Sequence, residues 1–588
     1  MPNNPENEST NKKLRSENAL IAYLEIDTRL FDTTTQDSFQ KIKNLYEGSF
    51  VFSELLAENY PQPPFKVKIY ANIVVIADDF MSEWDAHTGR RLRSLMRMNY
   101  FLAAFQHLAL VKYNWLVRGY MTTGQLYMPH IFEDEGGMPQ GTDIDFLWGK
   151  ALVEAYKKNK KNQYPGIEID ASILDFCDDQ KINRIIWDSS HYEYSKNPKI
   201  IFLDFLGVFN NISTIGDPEL RIQKFSDTLD AIEKKEIFPE DQLIFLKTYL
   251  DHVKAKPQIP RQQPSVKNNI VDPEPFTSPV DTTEMKEYFI AYLDMLGTED
   301  KIEDDDDDRW LNAMEEIYDA SSHDILKSNN QKWIEMLGDL GERMVSYLTP
   351  QIKIFSDNIL FAIEEVDDDL IEAVIKEIPT KVTSYLQSKG ADDALITETQ
   401  TKIESYFQIE EGEDTSKYNM IFVDELMKYT GYFQNYALLK YNWQLRGCVT
   451  KGQLYLDEKY MWGPVIIQAN DLEKNAKEPR IILDTMRLSV PILEGKEGFY
   501  ESDDLKLIIQ KDDDMMHYIG YEDLILNGTK ILNIPEQCIQ YLRAMKSSLC
   551  ELYGSNIGDG QVLPKIEWAI KYHNEVCKRW NVDARIEL

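Results

Sequence analysis

The stretch that decides the fold is LVKYNWLVRGYMTTGQLY, residues 110–127, because it returns later in the chain as LLKYNWQLRGCVTKGQLY, residues 438–455. The two stretches agree at 12 of 18 positions without a gap. Three more blocks repeat in the same order around them: LIAYLEID with FIAYLDML, KIYANIVVIA with KIFSDNILFA, and WGKALVEAYKKNKKNQYPGIEID with WGPVIIQANDLEKNAKEPRIILD. Four blocks in one order indicate two copies of one domain, with loops of different length between the blocks.

The repeat divides the 588 residues into five segments. In order, we expect a first copy, its helical tail, a linker, a second copy and a second helical tail, over residues 15–175, 176–256, 257–283, 284–490 and 491–588. The linker is rich in Pro, Gln, Asn and Thr. In both tails apolar residues recur at spacings of three and four, which is typical of packed helices.

Within a copy, the pattern predicts short buried strands at AYLDML and KIFSDNILFA, and amphipathic helices over residues 94–113 and 423–441. LRGCVTKGQLY is interpreted as a strand, a turn at residues 450–452 and a returning strand. GPVIIQANDLEKNA is typical of a helix and PRIILD of another strand. This order predicts an α+β sheet domain and not a doubly wound one.

Composition and charge exclude several classes of protein. The chain has 99 acidic and 64 basic side chains and a formal charge of −35, which argues against a protein that coats DNA or an anionic membrane. An anionic small molecule needs only a local positive pocket. The five cysteines form no C-x-x-C pair, the N-terminus has no apolar signal core, and no run approaches the length of a membrane span. We therefore expect a cytoplasmic protein.

Two aspartates of the second copy point to metal chemistry. Asp294 ends one predicted strand and Asp357 lies between KIFS and NILFA. Carboxylates at adjacent strand ends can bind two hard divalent cations, Mg²⁺ or Mn²⁺, that hold a triphosphate. The alternative is that each aspartate only makes a turn or a cap.

In this order, AYLDMLG, KIFSDNILFA, LRGCVTKGQLY and WGPVIIQANDLEKNA resemble the class III nucleotidyl cyclase homology domain. That family has an Asp-hydrophobic-x-Gly strand end, a K-x-x-G-D-x hairpin, an R-x-G strand pair and a G-x-x-V-N-x-A-x-R-L-E helix. The resemblance covers each copy but not the helical tails. Related domains occur in bacterial antiphage systems that make cyclic pyrimidine nucleotides, and the motifs do not separate that branch from purine cyclases.

The resemblance implies two tandem ferredoxin-like sheet domains that form a pseudo-dimer with its active site between them. One domain of the family supplies two metal-binding aspartates, and Asp294 and Asp357 fall on those positions. In the first copy the same positions hold Glu25 and Asn72, which suggests that its own metal site has lapsed, although Asp27 could in principle substitute.

The other domain of the family supplies residues that read the base and steady the phosphate. Lys157 of the first copy falls on the family's arginine position, where the second copy has Asp471, which would repel phosphate. Lys68 falls where adenylyl cyclases keep a base-reading lysine, although Lys353 holds the same place in the second copy. Asp145 lies one residue from the second base-reading position. The resemblance thus implies one composite site that uses Lys157, Lys68 and Asp145 with the two aspartates.

The family's asparagine is replaced by Val153 and Ile467 in the two copies. Three functions therefore remain open. The first is a cyclase that makes a 3′,5′-cyclic mononucleotide from a nucleoside triphosphate with two metal ions. The second is an inactive pseudocyclase that senses nucleotide or serves as a scaffold. The third, a nucleotidyl polymerase or oligonucleotide cyclase, is disfavoured because no GGDD-type hairpin is present. The chain could act as a monomer or assemble further through its tails.

Charge runs and buried-type residues have plainer interpretations. The lysines of AYKKNKKNQ form either a solvated helix end or a contact for polyphosphate or single-stranded nucleic acid. The acidic run 304–308 indicates a solvated loop or helix start. Arg118 and Arg446 are expected to form structural ion pairs. His573 and the tryptophans of the KYNW pieces are expected in the core or in the interface between the copies, and Cys448 in a buried strand.

Overall fold

The computed structural model divides the chain into two compact units. Unit 1 comprises Met1–Met285 with Tyr455–Pro464, and unit 2 comprises Lys286–Leu454 with Val465–Leu588. The structure describes residues 15–27, 35–57, 66–78, 88–127, 146–147, 149–162, 164–170, 173, 186–188, 201–203, 218–234, 239–255, 285–296, 335, 337–355, 358–366, 368–407, 416–457, 460–488, 509–512, 514, 516–531 and 535–587. Asp145, Asp357, the linker and the acidic run 304–308 lie outside these residues.

Unit 1 is a mixed sheet with helices. Its strands are β1 (Arg15–Ile26), β2 (Lys66–Tyr70), β3 (Ile73–Asp78), β4 (Val117–Tyr127), β5 (Phe146–Leu147), β6 (Ile167–Ile169), β7 (Ile186–Asp188), β8 (Ile201–Leu203) and β13 (Tyr460–Trp462). Its helices are α1 (Gln36–Ala57), α2 (Thr88–Tyr113), α3 (Lys150–Lys161), α4 (Pro218–Glu233) and α5 (Glu240–Ala255). Within the unit the strand order is β13-β2-β3-β1-β4-β6-β8-β7. Strands β2, β3, β1 and β4 are antiparallel, and β6 runs parallel to β4.

The central strand β1 is buried on both faces, which explains its continuous apolar run. Leu20, Ala22 and Leu24 alternate into a core that also contains side chains of α1 and α2. On the opposite face, Tyr23 packs edge to face against Tyr156 of α3, with ring centroids 5.7 Å apart. A strand covered by helices on both sides needs apolar residues at every position, and not only at alternate ones.

Unit 2 has the same kind of architecture. Its strands are β9 (Lys286–Leu296), β10 (Gln351–Phe355), β11 (Asn358–Glu364), β12 (Gln444–Leu456), β14 (Ile481–Leu483), β15 (Ile509–Lys511) and β16 (His517–Ile519). Its helices are α6 (Asp339–Leu348), α7 (Asp368–Ser388), α8 (Asp393–Phe407), α9 (Ser416–Tyr441), α10 (Pro464–Ala476), α11 (Thr485–Leu488), α12 (Tyr521–Ile531), α13 (Pro535–Ser555) and α14 (Leu563–Arg579).

The repeated sequence blocks lie on corresponding strands of the two units. Strand β9 pairs antiparallel with β11 and β12, as β1 pairs with β3 and β4. Strand β14 runs parallel to β12, as β6 runs parallel to β4. The α+β fold class is therefore confirmed. The helices predicted over residues 94–113 and 423–441 are present as parts of α2 and α9, and both tails contain the predicted helices.

Two predictions about local structure were wrong. KIFSDNILFA contributes two strands, β10 and β11, and not one. The turn predicted at residues 450–452 does not form, because β12 continues through it and pairs Thr450 with Ile290 and Gly452 with Tyr288. A Cβ on Gly452 would lie 3.2 Å from the Val465 Cβ of α10. This glycine therefore permits the close approach of a helix to the strand, and it does not make a turn.

Residues that follow the second copy's strand β12 contribute to unit 1. Strand β13 runs parallel to β2, with Tyr460 opposite Ile69 and Met461 opposite Tyr70. Trp462 is fully buried, and its ring centroid lies 5.9 Å from that of Phe39 in α1. The repeat alignment assigns residues 455–464 to the second copy, whereas the structure groups them with unit 1.

The tryptophans of the KYNW pieces and His573 are buried, as predicted. Cys448 is also buried, and burial raises the pKa of its thiol well above the ordinary value. Among the described residues, none of the helices combines the length and apolarity needed to cross a bilayer.

Candidate functional site

The candidate metal ligand Asp294 lies near the end of β9, in the middle of three adjacent strands. It is paired with Asn358 of β11 on one side and with Arg446 of β12 on the other. Asn358 directly follows Asp357 in the sequence, whereas Asp357 itself lies outside the described residues. The register therefore places Asp294 next to the first residue of the strand that Asp357 precedes.

The Asp294 carboxylate is held by Arg446. The Arg446 Nε donates a hydrogen bond of 3.1 Å to Asp294 Oδ2, and its Nη2 lies 3.0 Å from the same oxygen. The same Nε also contacts Glu473 Oε1 of α10. The side chain of Glu473 is 5% exposed and that of Asp294 is 16% exposed. One guanidinium is thus shared by two carboxyl groups, and the three side chains have a formal net charge of −1.

Unit 1 has a neutral counterpart at the matching positions. Arg118 Nη2 and Nε donate hydrogen bonds of 2.8 and 3.2 Å to Glu25 Oε2. Asn159, which corresponds to Glu473, donates a third hydrogen bond of 3.1 Å to the same oxygen. Here one guanidinium faces one carboxylate, and the three side chains carry no net charge. The predicted structural ion pairs of Arg118 and Arg446 are both present.

Asn72, which corresponds to Asp357, has a structural role in unit 1. Its amide Nδ2 donates a hydrogen bond of 3.1 Å to the carbonyl of Ile26, and the Ile26 amide donates to the Asn72 carbonyl at 2.8 Å. An ionised aspartate has no donor for the first of these bonds. Asn72 therefore connects the turn between β2 and β3 to the end of β1, next to Glu25, through hydrogen bonds. Asp27 follows Ile26, and its amide donates to the Leu116 carbonyl at 2.9 Å.

The remaining predicted site residues belong to unit 1. Lys157 is half-buried on α3, and Lys68 is half-buried on β2 opposite Val75. Asp145 lies outside the described residues. Because Asp294 belongs to unit 2, the assembly of these residues into one site stays a prediction.

The lysine-rich end of α3 is exposed around Lys157. Lys158, Lys160 and Lys161 are exposed in the last turn, where positive charge is favoured by the helix dipole. The ammonium of Lys160 lies 4.2 Å from the centroid of the Tyr156 ring. This geometry fits the interpretation of a solvated helix end, and it leaves a local positive surface in an acidic chain.

A second carboxylate environment follows β6 and β14 in the two units. Asp484 accepts hydrogen bonds from Thr450 Oγ1 at 2.7 Å and from Gln468 Nε2 at 2.9 Å. Asp170, at the matching position, accepts a bond of 2.6 Å from the Tyr120 hydroxyl. Both carboxylates satisfy neighbouring hydroxyl groups, which is typical of a structural role.

Glu168 is the titratable group of this region whose ionisation changes near neutral pH. Burial raises the pKa of Glu168 to about 7, while Lys158 opposes the shift and Asp170 adds to it. A carboxyl group with this pKa can accept or release a proton near neutral pH.

The donor set at Asp294 suits a hard divalent cation. Carboxylate oxygens are the ligands that Mg²⁺ and Mn²⁺ prefer, and both side chains that contact the Arg446 guanidinium, Asp294 and Glu473, are carboxylates. Among the residues that the structure describes, no group of three or more His, Cys, Asp or Glu side chains surrounds a common point. A metal site here would therefore need Asp357, water or substrate oxygens as further ligands.

Glu473 and Asn159 were missed in the sequence analysis, although a signal was available. Val465, Ala469 and Ala476 form the buried face of α10, and Glu473 lies on that same face at a spacing of four from Ala469. An acidic residue on the buried face of a helix requires a charged or hydrogen-bonding partner. In the repeat alignment, Glu473 of the second copy corresponds to the uncharged Asn159 of the first copy.

Comparisons with known proteins give a weak structural neighbour and no match in sequence. No protein-family model and no curated protein matches the sequence. A solved structure described as a class III adenylyl cyclase-like ATP-binding protein from Pseudomonas aeruginosa aligns over 87% of this chain and 90% of its own. The aligned residues are 10% identical and the TM-score is 0.32. Values this low do not align individual residues, so the roles discussed below rest on this chain's own geometry.

Proposed function

We propose that this chain is a nucleotide cyclase that converts a nucleoside triphosphate into a 3′,5′-cyclic mononucleotide and pyrophosphate. Asp294 and Asp357 of the second copy would bind two Mg²⁺ or Mn²⁺ ions. Lys157, Lys68 and Asp145 of the first copy would contact the phosphates and the base. A single composite site of this kind requires the two copies to act as an intramolecular pseudo-dimer.

The observation that supports this proposal is the difference in charge between the two strand-end clusters. Asp294, Arg446 and Glu473 have a formal net charge of −1, whereas the formal charge of Glu25, Arg118 and Asn159 together is zero. A cation is attracted to the first cluster more strongly than to the second. This asymmetry is what one metal-bearing copy and one lapsed copy would require.

The reaction makes defined demands on the residues. The ribose 3′-oxygen bonds to the α-phosphorus, the bond from that phosphorus to the β-phosphate bridging oxygen breaks, pyrophosphate leaves, and the hydroxyl proton passes to solvent. Bound divalent ions supply charge neutralisation and lower the pKa of the attacking hydroxyl. Asp294 and Asp357 would hold those ions. Lys157 would balance the negative charge that builds on the α-phosphate. Lys68 would contact the base or a phosphate, and Asp145 would contact the base.

The test is incubation of the pure full-length chain with ATP, GTP, CTP or UTP and Mn²⁺, followed by mass spectrometry of the products. We expect one cyclic mononucleotide, with turnover reduced about 10²–10³-fold or more in Asp294→Asn and Asp357→Asn. Glu25→Gln is the matched control in the first copy and should leave turnover close to that of the wild type. Full activity of Asp357→Asn would contradict the metal assignment.

A pseudocyclase is the second candidate, and a specific feature favours it. The family's asparagine position is occupied by the buried Val153 in α3 and by the half-buried Ile467 in α10, neither of which can hydrogen-bond to ribose. Lys157 also lacks the planar fork with which arginine binds phosphate. Nucleotide binding without turnover of any of the four triphosphates would establish this alternative.

A further inference from the structure

We infer that Glu473 is a positioning residue that makes the Asp294 carboxylate available to a divalent cation by sharing the Arg446 guanidinium with it. This inference rests on the proposed function, since it concerns the same metal site. It assigns a role to a residue that neither touches substrate in the proposed reaction nor belongs to the aspartate pair.

The first step is the competition for Asp294. Arg446 contacts Asp294 Oδ2 through Nε at 3.1 Å and Nη2 at 3.0 Å. A cation that binds this carboxylate competes with the guanidinium for its negative charge. If the guanidinium had no second acid, weakening its contact with Asp294 would leave a poorly compensated charge in a largely buried place, which is costly.

The second step is the position of Glu473. Its carboxylate already contacts the Arg446 Nε, and its side chain is only 5% exposed. When a cation binds to Asp294, the Arg446 guanidinium keeps Glu473 as its carboxylate partner, and α10 does not have to rotate. Glu473 therefore lowers the cost of releasing Asp294 and also raises the local negative potential.

The third step is the internal comparison with unit 1. Asn159 occupies the matching position, is neutral, and donates to Glu25 Oε2 itself at 3.1 Å. Asn159 has no charge with which to compensate the Arg118 guanidinium. It also adds a third hydrogen-bond donor to Glu25 Oε2, the oxygen that a cation would have to bind. The one substitution at this helix position therefore separates a closed acid–arginine pair from one that can accept a cation.

The experiment measures Mn²⁺ binding to the nucleotide-free full-length chain by electron paramagnetic resonance, with Asp294→Asn as the blank for this site. We expect Glu473→Gln, and Glu473→Asn as the first-copy mimic, to weaken binding at this site by about 10-fold or more, as loss of an outer-shell partner typically does. Glu473→Asp should keep much of the affinity. Circular dichroism and thermal unfolding verify that each variant is folded.

The double variant Arg446→Gln with Glu473→Gln separates positioning from a general structural role. With the guanidinium removed, Asp294 no longer has to be released, so the double variant should recover most of the affinity lost in Glu473→Gln. A merely structural Glu473 would give a double variant at least as weak as the single one. Asn159→Gln in unit 1, which leaves the charge of that cluster unchanged, is the matched control and should leave Mn²⁺ binding unchanged.

The outcomes distinguish this inference from the proposed function. Wild-type affinity in Glu473→Gln, or no recovery in the double variant, would overturn the role of Glu473 while leaving the metal site intact. Equal Mn²⁺ binding by the wild type and Asp294→Asn would overturn both the metal site and this inference.

Discussion

Each copy has an acid–arginine pair across two corresponding strands, but the surroundings of the pair differ between the copies. In unit 1, Glu25 takes three donors on one oxygen, from Arg118 and Asn159. In unit 2, Arg446 lies between Asp294 and Glu473. The charge of the helix residue, Glu473 against Asn159, therefore adds to the differences between the two copies at the strand ends. Function in such a chain is decided by where the copies differ, and the fold by where they agree.

The largest expected effect contrasts Lys157 with its second-copy counterpart, Asp471. In the proposed reaction Lys157 balances charge on the phosphate, so Lys157→Ala should lower kcat by about 10²–10³-fold with a smaller change in nucleotide binding. Asp471 is 71% exposed and only 3.7 Å from Lys474, so Asp471→Asn should leave turnover unchanged. Steady-state kinetics and nucleotide titration provide the two readouts. If Lys157→Ala lowered kcat and nucleotide affinity by the same factor, Lys157 would be a binding residue and not a catalytic one.

The next comparison concerns two buried tryptophans that belong to different units. Trp462 of β13 packs against Phe39 in unit 1, and Trp443 packs against Tyr441 in unit 2. Trp462→Ala should destabilise unit 1 by about 3–4 kcal/mol, because a large buried ring is removed. Hydrogen exchange should then lose protection in β2 and α1 while β9 and β11 stay protected. Trp443→Ala should show the reverse pattern. Loss confined to β9 in Trp462→Ala would contradict the assignment of β13 to unit 1.

These contrasts show how far the sequence alone could lead. The repeat blocks, the α+β class and the helices could be predicted, because periodicity is a local property. That Arg118 and Arg446 form ion pairs could also be predicted, but not which acids they contact. The turn at residues 450–452 was predicted wrongly, because the need for Gly452 comes from the packing of a helix on the strand. The partners of Arg446 lie far away in sequence, 152 residues in the case of Asp294, so only the fold brings them together.

The membership of β13 in unit 1 also could not be predicted from the local sequence. Three residues, Tyr460–Trp462, are apolar enough to join any sheet edge, and their neighbours in sequence belong to the second copy. Which sheet they complete depends on the aromatic side chains of α1 that cover them. Asp145 and Asp357 lie outside the described residues, so their roles stay predictions.

The helical tails of the two copies differ in their buried side chains, and this difference should make the stability of unit 2 depend on pH. The buried face of α5 is formed by apolar and aromatic side chains, whereas α14 buries His573, whose Nδ1 lies 2.9 Å from Glu522 Oε2 and whose Nε2 lies 3.1 Å from the Ala584 carbonyl. Both neighbours have acceptor oxygens, and a doubly protonated ring can donate to each. Burial alone would lower the pKa of His573, but hydrogen bonds to Cys577 and Glu522 and the Glu522 charge raise it to about 10.

A histidine with a raised pKa stabilises the folded state at low pH and loses that contribution as pH rises. The stabilisation is complete below the unfolded value of about 6.5 and disappears as pH approaches about 10. At pH 6, His573→Gln should lower the free energy of unfolding of unit 2 by about 3 kcal/mol, because a partner of a buried ion pair is removed. The difference from the wild type should shrink towards pH 10 in thermal unfolding. A difference that stays constant with pH would show that the ring is neutral.

The smallest expected effect compares the two glycines that let a helix approach the sheet. A Cβ on Gly452 would lie 3.2 Å from Val465 Cβ and 3.3 Å from Val465 Cγ2, whereas a Cβ on Gly124 would lie 3.3 Å from Ala151 Cβ. The branched valine contacts the new methyl group with two atoms and has one preferred rotamer in a helix, so it cannot move aside easily. Gly452→Ala should therefore cost about 1–2 kcal/mol.

Gly124→Ala should leave the free energy of unfolding almost unchanged. The new Cβ would make only one tight contact, with Ala151, and the cost of that contact is offset by about 0.4–1 kcal/mol because alanine makes the unfolded chain less flexible. Chemical denaturation of each variant measures the difference directly. If Gly452 were a turn residue, the same alanine would instead break the pairing of β12 with β9 and unfold a larger part of unit 2. A stability loss of only a few kcal/mol with β9 amides still protected would therefore confirm that this glycine accommodates α10.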